Sequence, residues 1–546
     1  MTLPGTPYQL NRQRRWLRSI VAVVLLGAAV AFIHYRMNAA QSGFGGHGDE
    51  PSHFLSGVLI HDYLASGFHQ RPMEFARRFY MHIPFMAIGH WPPLFYLLEG
   101  VWMLAFGVSR SSGLLLMWLL TLVAGLLVFR FVAPRNGSVM GLAAALAFLS
   151  IPSVQWNACL VMTDIAVGAV CLGASLSFAG YIESPGWRRA LLAGAMAGTA
   201  VLTKYSALFL PVPLAVILLA ESRRKLLGKW QTWLIPALSA AMVAPWAWFT
   251  RAFADKGYDA YAPAHRWEGL WRLLELISAA KKDLGVPCLS LACVCLAAAA
   301  WNWRRLDVAQ RLLLLHGCAV LVFVAFSPVL METRYLIPAY IAFAAVLPAG
   351  VGILTGWFGK GQRWVAPAFA LLVLFLFCRV PGRLPHLPTS STREIAMRVV
   401  HQREAGNSPV LVATAFEGAL IADFAVLEER RPSRMYMRPT KLLAQQTWLG
   451  NHYVLKAGSP AAAEKILEQC GVGFVILSRQ PWQGAAPHEK VLRELMTQDS
   501  MDWRPLQHVQ EPTGTDFDVF QSRLPGKKPE ELPPSCGPEF LWPGGA

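Results

Sequence analysis

Charge is scarce in this 546-residue chain. Only 15% of residues are Asp, Glu, Lys or Arg, against about 25% in soluble globular proteins, which argues against a purely cytosolic enzyme. Low-complexity sequence is also scarce, and 20 Trp, 13 Tyr and 29 Phe rule out global disorder. The nine cysteines show no metal-binding spacing. Most lie in or beside apolar runs, where a thiol behaves as a small hydrophobe. Cys470 and Cys536 lie outside those runs and could pair, though strict disulfide geometry weighs against partners so distant in sequence. No small-residue cleavage site follows the first apolar run, so its basic flank does not make it a cleaved signal peptide.

What is abundant is apolar sequence: 54% of residues are hydrophobic. A spanning helix needs about 20 mostly apolar residues. Candidates centre on Ile20–Ile33, Pro93–Gly107, Leu114–Val132, Met140–Ile151, Ile165–Ile182 and Ala190–Leu202. Others are Ala207–Ala220, Trp233–Phe249, Val286–Ala300, Leu312–Phe326, Tyr335–Leu354 and Val365–Phe377, giving about 12 spans. The net charge of +16 lies in short basic clusters between these runs, the positive-inside pattern rather than a nucleic-acid footprint. Arg12–Arg18, Arg188–Arg189, Arg223–Lys229, Arg304–Arg311 and Lys360–Arg363 should face the cytoplasm with the N-terminus. The segments 38–90, 251–285 and everything after Arg379 then face outward. One inconsistency remains. Three full crossings between loop 38–90 and Asp164 would put Asp164 inside, so either Pro93–Gly107 is shallow or Met140–Ile151 does not cross simply.

The expected division is a polytopic membrane domain over 1–384, an extracytoplasmic α/β domain over 385–524 and a Pro-rich, disordered tail over 525–546. In the second part Val410–Ala413 and Val472–Leu477 suggest buried strands. Ser459-Pro460 starts a helix that Gly471 ends, and His488–Met496 is another.

Candidate chemistry begins just after the first span, at Gly48-Asp49-Glu50-Pro51-Ser52-His53. Asp49 could be a general base at a cavity mouth, or a cap on the helix that starts at Pro51 and lies along the membrane surface. His47, Asp49, Glu50 and His53 also have the ligand types for a divalent metal ion, although the H-E-x-x-H register is absent. Gly43-Phe44-Gly45-Gly46-His47-Gly48 matches G-x-G-x-x-G literally, but it follows an apolar helix instead of a strand, which removes the dinucleotide reading. Asp164, Lys204 and Arg334 each stand at the end of an apolar segment. Intramembrane charges are functional candidates, while a cation at a helix end can also simply snorkel. Together, one acid and two cations suit an anionic phosphate headgroup.

In order along the chain stand Asp49-Glu50, Pro92-Pro93-Leu94-Phe95-Tyr96, Thr163-Asp164, Gly194 and Gly198 through Leu202-Thr203-Lys204, and Arg334-Tyr335 with Pro338. Over residues 15–380 this series resembles the GT-C class of polyprenyl-phosphate-sugar glycosyltransferases, in the protein O-mannosyltransferase and aminoarabinose-transferase branch. The outer α/β region is similar to that branch's variable C-terminal domain. The resemblance implies an inner-membrane, multi-pass enzyme that transfers a sugar, with inversion, from a polyprenyl-phosphate carrier to a lipid, glycan or protein acceptor. It makes Asp49 the base with Glu50 beside it, Asp164 the second acid, and Lys204, Arg334 and Tyr335 phosphate contacts. Many members carry Lys or His directly before Pro-Pro. Here that place is Trp91, so His90 and His53 are the remaining candidate substrate contacts. A transporter or lipid flippase would also have many spans with scattered charges, but no paired inverted repeat is visible. A membrane sensor would not need so many spans.

Overall fold

The computed structural model describes residues 7–86, 89–220, 223–254, 268–327, 331–356, 362–379, 387, 391–402, 408–428, 431, 434–446, 453–479, 486–498, 502–509, 516–524, 526–528 and 531–537. Its first two thirds are helical: α1 (Pro7–Arg36), α2 (Glu50–Ala65), α3 (Pro72–His82), α4 (Leu94–Phe106), α5 (Arg110–Asn136), α6 (Ser138–Leu149), α7 (Pro152–Ala158) and α8 (Asp164–Glu183). Then come α9 (Trp187–Thr203), α10 (Pro211–Ala220), α11 (Trp230–Ala254), α12 (Glu268–Trp301), α13 (Val308–Phe326), α14 (Ile337–Gly356) and α15 (Gln362–Arg379).

Among the described residues seven helical stretches are long and apolar enough to cross a membrane, and α6 with α7 forms an eighth that is bent by 76°. Three shorter apolar helices accompany them, Leu94–Phe106, Tyr205–Leu219 and Pro367–Phe377. The bend has a chemical cause. Pro152 opens α7, and Asp283 of α12 accepts bonds from Ser153 N (3.1 Å) and Ser153 Oγ (2.6 Å). The buried carboxylate therefore holds the N-terminal end of α7, where a negative charge is favoured.

α4 bears on the inconsistency around Asp164. Its 13 residues rise only about 20 Å at 1.5 Å each, short of the roughly 30 Å hydrocarbon core. Arg110, the first residue of α5, donates from Nε to Glu50 Oε1 (3.1 Å), from Nη1 to Ala39 O (2.6 Å) and from Nη2 to Cys159 O (3.3 Å). The start of α5, the start of α2, the end of the α1 segment and the end of α7 therefore share one level. α4 runs beside α2: Tyr96 lies against His53, and a Cβ on Gly57 would sit 2.5 Å from Glu99. Leu97, Leu98, Val101 and Leu104 are left exposed on its outer side.

α2 is enclosed within the protein over its first ten residues. Residues 50–59 are buried on every side, because α4 packs on one flank and α17 (Glu417–Leu427) on another.

The rest of the chain gives α16 (Thr392–His401), β1 (Val410–Ala413), β2 (Tyr436–Met437), α18 (Pro439–Leu442), β3 (Ala444–Gln445), β4 (Val454–Leu455), α19 (Pro460–Gln469), β5 (Phe474–Ser478), α20 (Pro487–Thr497), β6 (Trp503–Val509) and β7 (Phe517–Ser522). Five strands form one sheet in the order β2-β1-β5-β7-β6, parallel at β2-β1-β5 and antiparallel beyond. Alternation along each strand sends Val410, Val412, Phe474 and Ile476 into a core continuous with the helical bundle. Leu411, Ala413, Val475 and Leu477 pack on the other face, as a two-residue period requires. The sheet unit docks on the segment between α1 and α4. Arg431 binds Asp62 through Nε (2.9 Å) and Nη2 (3.1 Å), and Gly418 leaves no room for a Cβ against Phe85, 2.4 Å away. The segment after Leu524 is anchored where it is described, since Cys536 is disulfide-bonded to Cys470 and Lys527 Nζ donates to Gln469 O (3.1 Å). Residues 538–546 of the expected disordered tail, residues 255–267 of the outer segment 251–285, and Lys360 lie outside the described residues.

Candidate functional site

The site begins with a helix start that is not capped by its own acid. Asp49 occupies the N-cap position of α2, and its carbonyl accepts from His53 N (3.0 Å), but its side chain makes no capping bond. The carboxylate instead accepts from Arg334 Nη2 at 2.7 Å, across 285 residues. The capping alternative is thereby excluded in this structure. Burial alone would raise this carboxyl, but the Arg334 guanidinium that donates to it holds it below the ordinary carboxylate range.

Glu50 has a different surrounding. It is fully buried, and its Oε1 accepts from Arg110 Nε (3.1 Å) and from Val161 N (3.2 Å). Successive residues on a helix point about 100° apart, so the two neighbouring acids serve different partners. Glu50 ties α2 to α5 and α7, while Asp49 faces the cluster of cations.

Arg334 and Tyr335 sit on a single 3-10 turn, Thr333–Leu336, that leads into α14. The Tyr335 ring lies between two cations, with Lys204 Nζ 5.0 Å and Arg334 Cζ 5.1 Å from its centroid, within cation–π range. Lys204 ends α9 in extended backbone, and its Nζ donates to Asp164 Oδ1 at 2.5 Å. Asp164 is 1% exposed and Oδ2 has no partner among the described residues. A polar atom buried in this way is costly unless something binds it.

The aromatic entrance closes the other side. His53 stacks on Trp91 with ring centroids 4.0 Å apart, and its Nδ1 is 2.7 Å from the Tyr96 hydroxyl. Burial drives its imidazole towards the neutral form against the pull of Asp49, and Lys204 and Arg334 reinforce that direction. His53 therefore contributes a neutral ring, not a charge. His90 is half-buried directly before Trp91.

Asp49, His53, Asp164, Lys204, Arg334 and Tyr335 thus converge, while Glu50 does not join them. Glu332 was not among the expected residues. It accepts from His47 Nε2 (3.3 Å) through Oε2, which also lies 2.5 Å from Arg334 Nε. His47 and Arg334 hold its carboxyl below the ordinary range against the effect of burial. Its only signal in sequence is its place two residues before Arg334.

The four metal ligands considered from sequence do not form a cage. Glu50 is turned to Arg110, His53 Nδ1 to Tyr96, and both His47 nitrogens to Asp49 N and Glu332.

An apolar groove of about 670 Å³ lies between the turn Tyr205–Phe209, α10 and α13, its lining beginning at Leu208, four residues after Lys204. Leu208 and Phe209, which follow Lys204, line one wall with Val212 and Val216; Val322 and Phe326 line the other.

Residues 90–249 match the family model described as dolichyl-phosphate-mannose-protein mannosyltransferase. The structure is similar to ArnT from Cupriavidus metallidurans bound to undecaprenyl phosphate, with a TM-score of 0.54 at 14% identity over 95% of this chain and 99% of that one. The apo state of the same protein gives a TM-score of 0.58 at 14% identity over 94% and 99%. An oligosaccharyltransferase from Archaeoglobus fulgidus, in complex with Zn and sulfate, gives 0.58 at 13% identity over 94% and 74%. No curated protein matches the sequence significantly. These likenesses agree with the motif series, and the fold is of the GT-C type with a small C-terminal sheet region.

Proposed function

We propose that this chain is a membrane glycosyltransferase that moves a sugar from a polyprenyl-phosphate carrier to an acceptor outside the cytoplasm, with Asp49 as general base. One observation carries the reading. The Asp49 carboxylate is not used as a helix cap but meets Arg334, which shares the Tyr335 ring with Lys204, and the turn that follows Lys204 lines an apolar groove. Acid, paired cations and apolar trough are the three parts such a transfer needs.

In the proposed reaction the lipid chain lies in the trough and its phosphate reaches Lys204 and Arg334. Asp49 takes the proton from the acceptor hydroxyl or amine. The freed lone pair attacks the anomeric carbon on the face opposite the phosphate, and the carbon–oxygen bond breaks with its electrons going to the phosphate. Configuration inverts because attack and departure occur on opposite faces. Cations fixed in a water-poor site stabilise the charge growing on the leaving group, and proton removal by a placed carboxylate contributes typically 10²–10⁴-fold. The likeness to a protein solved with undecaprenyl phosphate supports the donor class.

With α4 as a non-crossing helix, α1, α5, α6–α7 and α8 to α15 alternate consistently. Together with the basic clusters between the spans, this supports a cytoplasmic N-terminus, with Asp49, Asp164, Lys204, Arg334 and the sheet unit outside.

Mass spectrometry of glycolipids and glycoproteins from cells carrying the wild-type chain, the Asp49→Asn chain or neither tests the proposal. A sugar-sized mass addition that appears only with wild type is expected. Identical profiles from all three would overturn it.

A further inference from the structure

We propose that Glu332 and His47 are positioning residues that keep the base and the phosphate-facing arginine in register, an inference that rests on the transferase reading above. The loop bearing His47 is tightly constrained. Gly43 has φ +49°, and a Cβ on Gly46 would lie 2.4 Å from Leu160 Cδ2 and 3.1 Å from Leu387 Cδ2. This closely packed loop brings His47 Nδ1 to 3.0 Å from the Asp49 backbone N–H, which donates to it. Since Nδ1 accepts, the ring proton of the neutral imidazole sits on Nε2. Nε2 is 3.3 Å from Glu332 Oε2. The same oxygen forms an ion pair with Arg334, 2.5 Å from Nε but not aligned for a hydrogen bond, and Arg334 Nη2 returns to Asp49 Oδ2 at 2.7 Å.

The result is a closed circuit, Asp49–His47–Glu332–Arg334, between two loops that are remote in sequence. It divides the work of the guanidinium. Glu332 holds the Nε edge, so the Nη groups can exchange the Asp49 carboxylate for a donor phosphate oxygen without the plane rotating. His47 holds the Asp49 backbone, so the carboxylate keeps its place when Arg334 lets go. Neither residue needs to touch the reacting atoms. Both are partly exposed at the mouth of the site, where a loop without such a tie would drift.

The test compares Glu332→Gln, Glu332→Ala, His47→Ala and the double alanine variant in the full-length, detergent-solubilised chain. The Gln amide oxygen can still accept from His47 and fill the same place beside the guanidinium, so Glu332→Gln should keep kcat within about threefold. Misplacement of about 1 Å can cost about 10²-fold, so each alanine variant should lower kcat by roughly 10- to 100-fold. KM for the polyprenyl-phosphate donor should change much less. The double variant should be no worse than the poorer single one, because both break the same circuit. If Glu332→Gln is as damaging as Glu332→Ala, Glu332 acts through its charge on a substrate and the proposal falls. The same four proteins compared by thermal unfolding need no substrate. Non-additive Tm shifts confirm the circuit even should the transferase reading fail, and strictly additive shifts overturn it even should that reading hold.

Discussion

Replacing Lys204 by Met should separate folding from donor binding. The ammonium is 2.5 Å from Asp164 Oδ1 and Asp164 is 1% exposed, so the substitution strands a buried carboxylate. Breaking a buried pair from one side costs about 3–5 kcal/mol, and Tm of the solubilised chain should fall by several degrees. Adding Asp164→Asn removes the stranded charge at almost constant shape and should return most of that stability. Donor affinity should not return with it. A charge-assisted hydrogen bond contributes about 1.5–3 kcal/mol, which corresponds to a roughly 12- to 150-fold loss of affinity. Asp164→Asn alone frees Lys204 and should bind at least as tightly as wild type. Thermal unfolding and titration with undecaprenyl phosphate, on the wild type, both single variants and the double variant, supply the two readouts. Should the double variant recover wild-type affinity along with wild-type stability, Lys204 serves only to neutralise Asp164 and the phosphate contact is refuted.

Glu50→Gln should leave the buried Arg110 without its carboxylate and cost about 3–5 kcal/mol of stability, seen as a lowered Tm. The folded fraction should keep a kcat near wild type, because Glu50 faces away from Arg334. Cysteine accessibility labelling in intact cells should place residues 40–90 and 408–522 on one, non-cytoplasmic side; opposite sides would overturn the topology. Burial raises Asp423 from 3.8 to about 6 against its bond from Thr392. A carboxyl raised in the folded state stabilises fully below its unfolded value and loses that contribution as pH climbs through the folded one. Stability should therefore drop by about 2 kcal/mol between pH 4 and 6, out of about 3 in all, and Asp423→Asn should flatten that part of a Tm-against-pH profile.

Some of this was legible in sequence for clear physical reasons. Val410–Ala413 forms β1 as expected, since four consecutive apolar residues can be buried on both faces of a sheet. Ser459 caps α19, accepting from Ala462 N at 3.3 Å, and Gly471 with φ +55° ends it. Residues of six expected positions meet in space because each was singled out as a charge or ring at a segment end. The misjudged parts depend on partners that no local pattern names. Asp49 and Glu50 look equivalent in a string of letters, yet their partners are Arg334 and Arg110. Phe54, Leu55, Val58 and Leu59 suggest one apolar face for α2, but α4 and α17 bury residues 50–59 on every side. Leu94–Phe106 is apolar enough for a span, and only its length and the position of Arg110 show that it lies beside α2. Glu332 has no motif of its own. Its meaning comes from His47, far away in the chain.

The central claim is that Asp49 removes the acceptor proton, and kcat of Asp49→Asn with a polyprenyl-phosphate-linked sugar tests it most directly. The amide oxygen can still accept from Arg334, so Tm should barely change. With the negative charge gone, Arg334 is easier for a phosphate to engage, so undecaprenyl phosphate should bind as tightly as before or more so. Only basicity is lost, and kcat should fall by about 10²–10⁴-fold. A variant that binds the carrier normally and keeps most of the wild-type kcat would contradict the account.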